Sequence, residues 1–358
     1  MNFNNNLSYN VRVSKRKFNK FRFFSFLIIL VVCTACVLFL FNTDLRKGII
    51  SIFSSSVSTK VSSNEIQIKD TVDISSTKTT DKSSFNSTSS TSISSIQEVK
   101  TITKDYSGLK SEITNYISAF EGHYGVYFID LKNIGEFGIN DLDIYIAAST
   151  VKVPINLYLF NKIKDGSINP NDTIVYNKKI DYERGTGYIQ SKKNGTKFTI
   201  KELSKLSITV SDNIATNMLI RVLGKPNYKN FMRTSGGVVV TNENISCPKD
   251  MALYMKKVYE FQKNNKVLGD ELINYFENTV FNDRLTKLLP KEVKVAHKIG
   301  NYWGDSWGIA YHDVGIIYSE NDYVLAVMSK NIKNEAEGCD VIANISKKVY
   351  DYMTIKNP

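Results

Sequence analysis

The sequence predicts an α+β fold: one antiparallel sheet assembled from both ends of a folded region, packed with helices and carrying an inserted all-helical subdomain. Three observations predict it. Strand-like stretches sit early, at His123–Asp130, and late, from Val293 onward. Helical periods fill the chain between them. The region from Tyr106 to the C-terminus, roughly 250 residues, also has the length of one domain. Of the 358 residues of the chain, 42% are hydrophobic, enough for a sizeable core.

Each element has its own signal. Leu109, Ile113, Tyr116, Ile117 and Phe120 mark one face of a first helix. His123–Asp130, HYGVYFID, reads as a strand, and a turn over Lys132–Gly138 leads to a second. Val151–Lys164 reads as a helix stopped by Gly166. Thr199-Ile200-Lys201-Glu202 is a capping box, which starts a helix near Ile200. The next helix runs from Asp212 to Leu223 and is ended by Gly224 and Pro226. Pro248 suits the first turn of another, reaching Phe261. Val293–Lys298, Gly308–Tyr318 and Tyr323–Ser329 read as strands, the last two joined by a hairpin at Glu320-Asn321-Asp322. A helix from Glu335 to Tyr352 closes the chain.

Three segments precede this domain, which spans residues 106–358. Residues 1–22 are basic, with Arg12, Lys15, Arg16, Lys17, Lys20 and Arg22 and no acid. Residues 23–41, FFSFLIILVVCTACVLFLF, are uncharged and long enough to cross a bilayer as a helix. The positive-inside rule puts the N-terminus in the cytoplasm and the domain outside, on a single-pass anchor in the cell membrane. A cleaved signal peptide fits less well, because the apolar run is long and no small-x-small cleavage site follows it. Residues 42–105 are dominated by Ser and Thr from Ser51 on and have no sustained period, as expected of a disordered stalk.

Composition narrows the function. The net charge of +11 comes from lysines spread along the chain, without an arginine-rich stripe or a nucleic-acid motif, so nucleic acid is not an expected partner. The four cysteines are too few for a disulfide scaffold. Cys33 and Cys36 fall in the apolar run, and Cys247 and Cys339 are left in the domain, where sequence alone does not say whether they pair. The three histidines form no close Cys/His grouping, so neither a metal nor another cofactor is expected.

Four short stretches carry candidate chemistry. Gly304-Asp305-Ser306-Trp307-Gly308 matches G-x-S-x-G, but a nucleophile elbow needs a strand, a turn and a helix, with its acid and histidine later in the chain. A hairpin follows here, and His312 comes only six positions later, so Ser306 is not the expected nucleophile. Ser149-Thr150-Val151-Lys152 lies where a helix starts. There backbone N–H groups favour developing negative charge, and a lysine one turn on can take the serine proton if its pKa is depressed. Read alone, the same residues make a helix cap and a surface lysine. Ser211-Asp212-Asn213 occurs once, between two helices, where a hydroxyl can relay a proton and an amide can bind a substrate carbonyl. In Lys298-Ile299-Gly300 a strand-edge cation can hold a substrate carboxylate, and glycine permits close approach of substrate backbone.

In this order the last three stretches resemble the signature set of class A β-lactamases and penicillin-binding proteins. Gly185-Thr186-Gly187-Tyr188-Ile189-Gln190, the run Phe198–Ile220, and His297 and Lys298 followed by His312-Asp313-Val314-Gly315-Ile316 strengthen the resemblance, which covers Tyr106 to the C-terminus. It implies the serine β-lactamase/D-Ala-D-Ala transpeptidase fold. It further implies Ser149 as the acylated nucleophile, Lys152 as its base and Ser211 as the proton shuttle to the leaving nitrogen. Asn213 would orient substrate, and Lys298, beside Gly300, would bind its carboxylate. The N–H groups of Ser149 and Asn301 would form the oxyanion hole.

Two departures shape the expected function. Ile299 stands where the family has Thr or Ser, and it offers no hydroxyl to a substrate carboxylate. The E-x-x-L-N glutamate that activates the deacylating water is missing. The loop from Met232 to Pro248 is short, and Glu243 is its only acid. The expectation is therefore an extracellular serine hydrolase acylated by a β-lactam or a peptidoglycan-like peptide, with slow deacylation. The alternatives are a true β-lactamase with another water activator and a non-catalytic cell-wall module.

Overall fold

The computed structural model describes residues 104–354 apart from 134 and 305. The expected anchor, Phe23–Phe41, and nearly all of the stalk lie outside the described residues. Among the described residues, no helix is long and apolar enough to cross a membrane.

A five-stranded antiparallel sheet has the order β2-β1-β9-β8-β7. Strands β1 (His123–Asp130) and β2 (Gly135–Ile139) come from the early part of the domain. Strands β7 (Val295–Gly304), β8 (Gly308–Ile317) and β9 (Tyr323–Lys330) come from the late part, as the pattern predicts. Strand β1 closes the two halves by pairing with β9, Val126 against Val327 and Phe128 against Leu325. Both faces of the sheet are covered. Tyr127 and Ile129 point into a core shared with the inserted helices, and Val126 and Phe128 into a second core. That second core is roofed by α1 (Ser107–Ile117) and α9 (Glu335–Thr354). Double cover explains why the strands read as apolar runs instead of apolar-polar alternation.

The insertion runs from β3 (Tyr145–Ile146) to the start of β7. It contains α2 (Lys152–Lys164), the single turn α3 (Lys178–Asp181), α4 (Ile200–Thr209), α5 (Asn213–Leu223), α6 (Lys225–Thr234), α7 (Pro248–Asn264) and α8 (Lys266–Glu277). Two short ladders punctuate it: β4 (Thr173–Val175) pairs with β5 (Lys197–Thr199), and β3 pairs with β6 (Ile245–Ser246). The capping box is complete: the Thr199 hydroxyl accepts from the Glu202 N–H, and the Glu202 carboxylate accepts from the Thr199 N–H.

The structure corrects three boundaries. Pro226 ends nothing; it sits in the first turn of α6, where its missing N–H costs no hydrogen bond. Helix α8 has no sequence signal of its own except Asn265, whose side chain caps it. Strand β7 runs six residues past Lys298, to Gly304, so Lys298-Ile299-Gly300 is mid-strand on the outer edge of the sheet.

Candidate active site

The site forms where the first turn of α2, the α4–α5 junction and the edge strand β7 meet. Ser149 lies in a 3₁₀ turn, Ala148–Val151, that leads directly into α2. The turn is entered with strain: Ala148 has φ +47°, in the left-handed region. Ser211 has φ +53° at the other corner. Such conformations cost about 1–3 kcal/mol each and persist only where the surroundings over-determine them. The two other described non-glycine residues with positive φ are asparagines, which tolerate it well.

Ser211 is held from both sides. Its Oγ accepts from Lys152 Nζ at 3.1 Å and from Lys298 Nζ at 2.9 Å. Lys152 Nζ also donates to the Ser211 carbonyl at 2.7 Å and to Asn213 Oδ1 at 2.8 Å. Lys298 Nζ donates as well to the Ile299 carbonyl at 3.1 Å. Both amines are buried, and burial lowers their affinity for protons. The Lys152 pKa falls to about 7, despite the opposing charges of Asp212 and Glu183. Lys298 falls well below its ordinary value, through burial first and then the charge of Lys152. Two ammonium groups on one hydroxyl repel, so the pair favours a single proton fewer than two free lysines would carry. One amine is thereby available as a base near neutral pH.

The supports of this node are backbone-deep. Asp212 caps α5 by accepting from the Ala215 N–H at 2.9 Å. Its other oxygen accepts from the N–H groups of Tyr188 and Ile189 at 2.6 and 2.8 Å. This fastens Gly185–Gln190 to the Ser-Asp-Asn corner. Gly187, at φ +128°, has to be glycine, since a Cβ would run into the Asp212 side chain and Cα. Gly300 matters in the same way on β7. A Cβ there would lie 3.1 Å from the Thr150 methyl and 3.2 Å from the Ala147 carbonyl, so glycine lets the strand pack against the turn that carries Ser149.

Ser149, Lys152, Asn213 and Asn301 line one cleft of about 560 Å³; Ser211 and Lys298 are buried and join it through the hydrogen bonds of Ser211 to Lys152 and Lys298. All seven residues singled out in the sequence thus converge. Ser306 does not: it lies in the turn between β7 and β8, a strand-turn-strand context. Ile299 is buried on β7 and does not line the cleft. Cys247 and Cys339 are both free and buried, so the open question of their pairing is answered.

Sequence reading assigned no role to four residues that the structure brings to the site, one of which, His312, it noted only as part of a motif. His312, opposite Gly300, donates from Nε2 to the Ile146 carbonyl at 2.7 Å and accepts from the Ser329 N–H at 3.0 Å. Burial holds its pKa down to about 4, so the ring is neutral and ties β8 to β3, which leads into the Ser149 turn. Arg284 is 1% exposed and donates to the His312 carbonyl at 2.8 Å and the Gly300 carbonyl at 3.4 Å. Lys229, on α6, donates to the Glu243 carbonyl at 2.9 Å. Glu183 lines the cleft and accepts from Asn213 Nδ2 at 3.2 Å.

The fold and the sequence agree with known proteins. Residues 108–353 match the model of the beta-lactamase enzyme family. Beta-lactamase 3 of Bacillus cereus is 26% identical over 265 residues, which cover 66% of this chain and 79% of that protein. The solved structure of PBP-A superposes with a TM-score of 0.64 at 26% identity, over 69% of this chain and 96% of that one. A PBP-A mutant, solved as an acyl-enzyme complex with penicillin G, matches with a TM-score of 0.63 at 27% identity, over the same shares. The chain belongs to the beta-lactamase enzyme family, whose members are serine hydrolases.

Proposed function

We propose that the domain is a serine acyl-enzyme former acting on β-lactams or on D-Ala-D-Ala-type peptides. The observation that carries this reading is the Ser211 hydroxyl between two buried lysines, one of which, Lys152, lines the same cleft as Ser149. Neutral Lys152 takes the Ser149 proton as Oγ attacks the substrate carbonyl. The N–H groups of Ser149 and Asn301 stabilise the oxyanion. Ser211 then delivers a proton to the leaving nitrogen, and Lys298, beside it, supports that transfer and binds the substrate carboxylate. Asn213 holds the acyl-side amide carbonyl, and Gly300 lets the substrate backbone lie along β7.

Hydrolysis of the acyl-enzyme is the slow step in this reading, because the E-x-x-L-N glutamate is absent. The N-terminal segment anchors the domain to the outer face of the cell membrane, where peptidoglycan is the natural source of substrate. A true β-lactamase is the second reading, and it is favoured by one observation: Glu243, in the short loop, lines the same cleft. The test is incubation of the domain with fluorescent penicillin. We expect a covalent adduct at Ser149 that outlasts minutes and is absent in Ser149→Ala. Multiple turnover of nitrocefin, lost in Glu243→Gln, supports the second reading. Neither an adduct nor hydrolysis of any β-lactam or D-Ala-D-Ala ester rules out both.

A further inference from the structure

We propose that Glu183 is a specificity-determining carboxylate, which makes this site prefer substrates with an ammonium group beside the amide that Asn213 holds. The inference rests on the acyl-enzyme reading above.

Glu183 is an acid in an unusual setting. Its Oε1 accepts from Asn213 Nδ2 at 3.2 Å and its Oε2 from Asn217 Nδ2 at 3.0 Å. The two asparagines lie four residues apart on α5, on one face of the helix, so they present two amide donors at a fixed spacing. The carboxylate is clamped at both oxygens, yet none of the ion pairs among the described residues includes it. Asp181, two residues earlier, shows the contrast. It is buried and satisfied by the Arg221 guanidinium at 2.9 and 3.0 Å. That acid builds the fold. Glu183 is exposed, lines the cleft with Ser149, and keeps acceptor capacity to spare.

Its reach follows from Asn213. The Asn213 amide has two N–H donors. One goes to Glu183, and its Oδ1 is fixed by Lys152, which leaves the second N–H for a substrate carbonyl. A substituent on the carbon next to that carbonyl therefore lies close to the Glu183 carboxylate. An ammonium there completes an ion pair with a preoriented acid, and a carboxylate there is repelled. In a β-lactam the group is an α-substituent of the acyl side chain. In a peptide it is a free amine near the corresponding amide.

A matched charge series tests this: benzylpenicillin, ampicillin and carbenicillin, which differ at that carbon by hydrogen, ammonium and carboxylate. Second-order acylation rates of Ser149 are measured at pH ~6.5, below the ordinary α-amino range. We expect ampicillin to react about three- to five-fold faster than benzylpenicillin and carbenicillin slower by a similar factor, a size set by an exposed pair. In Glu183→Gln the three rates should converge, and in the wild type the spread should shrink with added salt. A purely structural role, orienting Asn213, would lower all three rates together and leave their ratios alone; that outcome overturns the assignment. So do equal rates in the wild type, or the same order in Glu183→Gln. Failure of all three compounds to label Ser149 sinks the acyl-enzyme reading itself, a result distinct from labelling without charge preference.

Discussion

Two walls meet at Ser149, and they are built differently. The inner wall holds Lys152, Ser211, Lys298 and His312, each no more than 3% exposed and each tied to two or more partners. The outer wall is the short loop Thr241–Asn244, every residue of which is exposed. Its ties are largely to backbone: the Ala147 N–H donates to the Asn244 carbonyl at 2.8 Å, Asn244 Nδ2 to the Ala148 carbonyl at 3.1 Å, and Lys229 Nζ to the Glu243 carbonyl. In the proposed acyl-enzyme reading, the inner wall supplies the preorganised groups for proton transfer and charge stabilisation. The outer wall offers one acid, Glu243, whose carboxylate makes no hydrogen bond to another described residue. The contrast is between a buried, multiply bonded wall and an exposed one, and on the proposed reading it predicts that acylation and deacylation can be separated by substitution.

The sharpest break of the comparison is loss of the proposed nucleophile, where the two walls meet. Ser149→Ala should abolish the penicillin adduct entirely while leaving thermal stability within a few degrees, since Ser149 is only half-buried and its hydroxyl bonds no other described residue. Mass spectrometry after incubation, with a melting curve alongside, checks both. A persistent adduct would move the nucleophile elsewhere and dissolve the comparison.

Loss of the base comes next. Lys152→Met should slow acylation by about 10²- to 10⁴-fold. In the wild type, acylation should rise as pH climbs through about 7, where Lys152 gives up its proton. Stability carries the same signature. Burial lowers the folded-state pKa from 10.5 to about 7, so between those values the unfolded chain binds a proton that the folded chain does not. Stability therefore rises with pH across that window, and below it the cost of burying the ammonium is fully felt. Lys152→Met should flatten its share of that slope in denaturant titrations at pH 7 and pH 9. An unchanged slope would place the proton on another group.

Much of this was legible in the sequence because the relevant signals are local. The capping box at Thr199 acts within four residues, and each of the three short motifs is contiguous in the chain, so spacing reports them. Residues that act across the fold leave no such trace. Arg284 meets Gly300 and His312 only because β7 and β8 pair. Lys229 reads as one more polar helix residue until α6 packs it under the loop. Glu183 sits in a stretch without period, and only Asn213 and Asn217, 30 and 34 positions later, give it a role. Helix α6 itself was hidden by Pro226, which ends a helix or begins one with the same chemistry.

Between these extremes lies Gly300, where the inner wall touches the Ser149 turn. Gly300→Ala places a methyl 3.1 Å from both His312 Cδ2 and the Thr150 methyl. The strand and the turn have to separate by a few tenths of an ångström, at about 1–3 kcal/mol. Acylation should fall by about 10-fold or more, since the oxyanion donors on Ser149 and Asn301 lose their spacing. Stopped-flow acylation and a urea titration would read the two effects. A variant that loses stability but keeps its rate would show that the two donors are not positioned through this contact.

The smallest expected effect on acylation belongs to the outer wall. Lys229 is 2% exposed, and burial lowers its pKa to about 8. Lys229→Met removes one hydrogen bond, worth about 1 kcal/mol. It also removes the cost of burying an amine, which is greatest below pH 8, where the group is charged. The two changes oppose, so net stability near neutrality should move by less than about 1 kcal/mol. What changes is the loop. Freed from α6, the amides of Thr241–Asn244 should exchange with solvent several-fold faster, while the acylation rate stays within about three-fold of wild type. If acylation instead falls as far as it does in Lys152→Met, the loop is as integral to the first step as the buried lysines, and the two walls form one device.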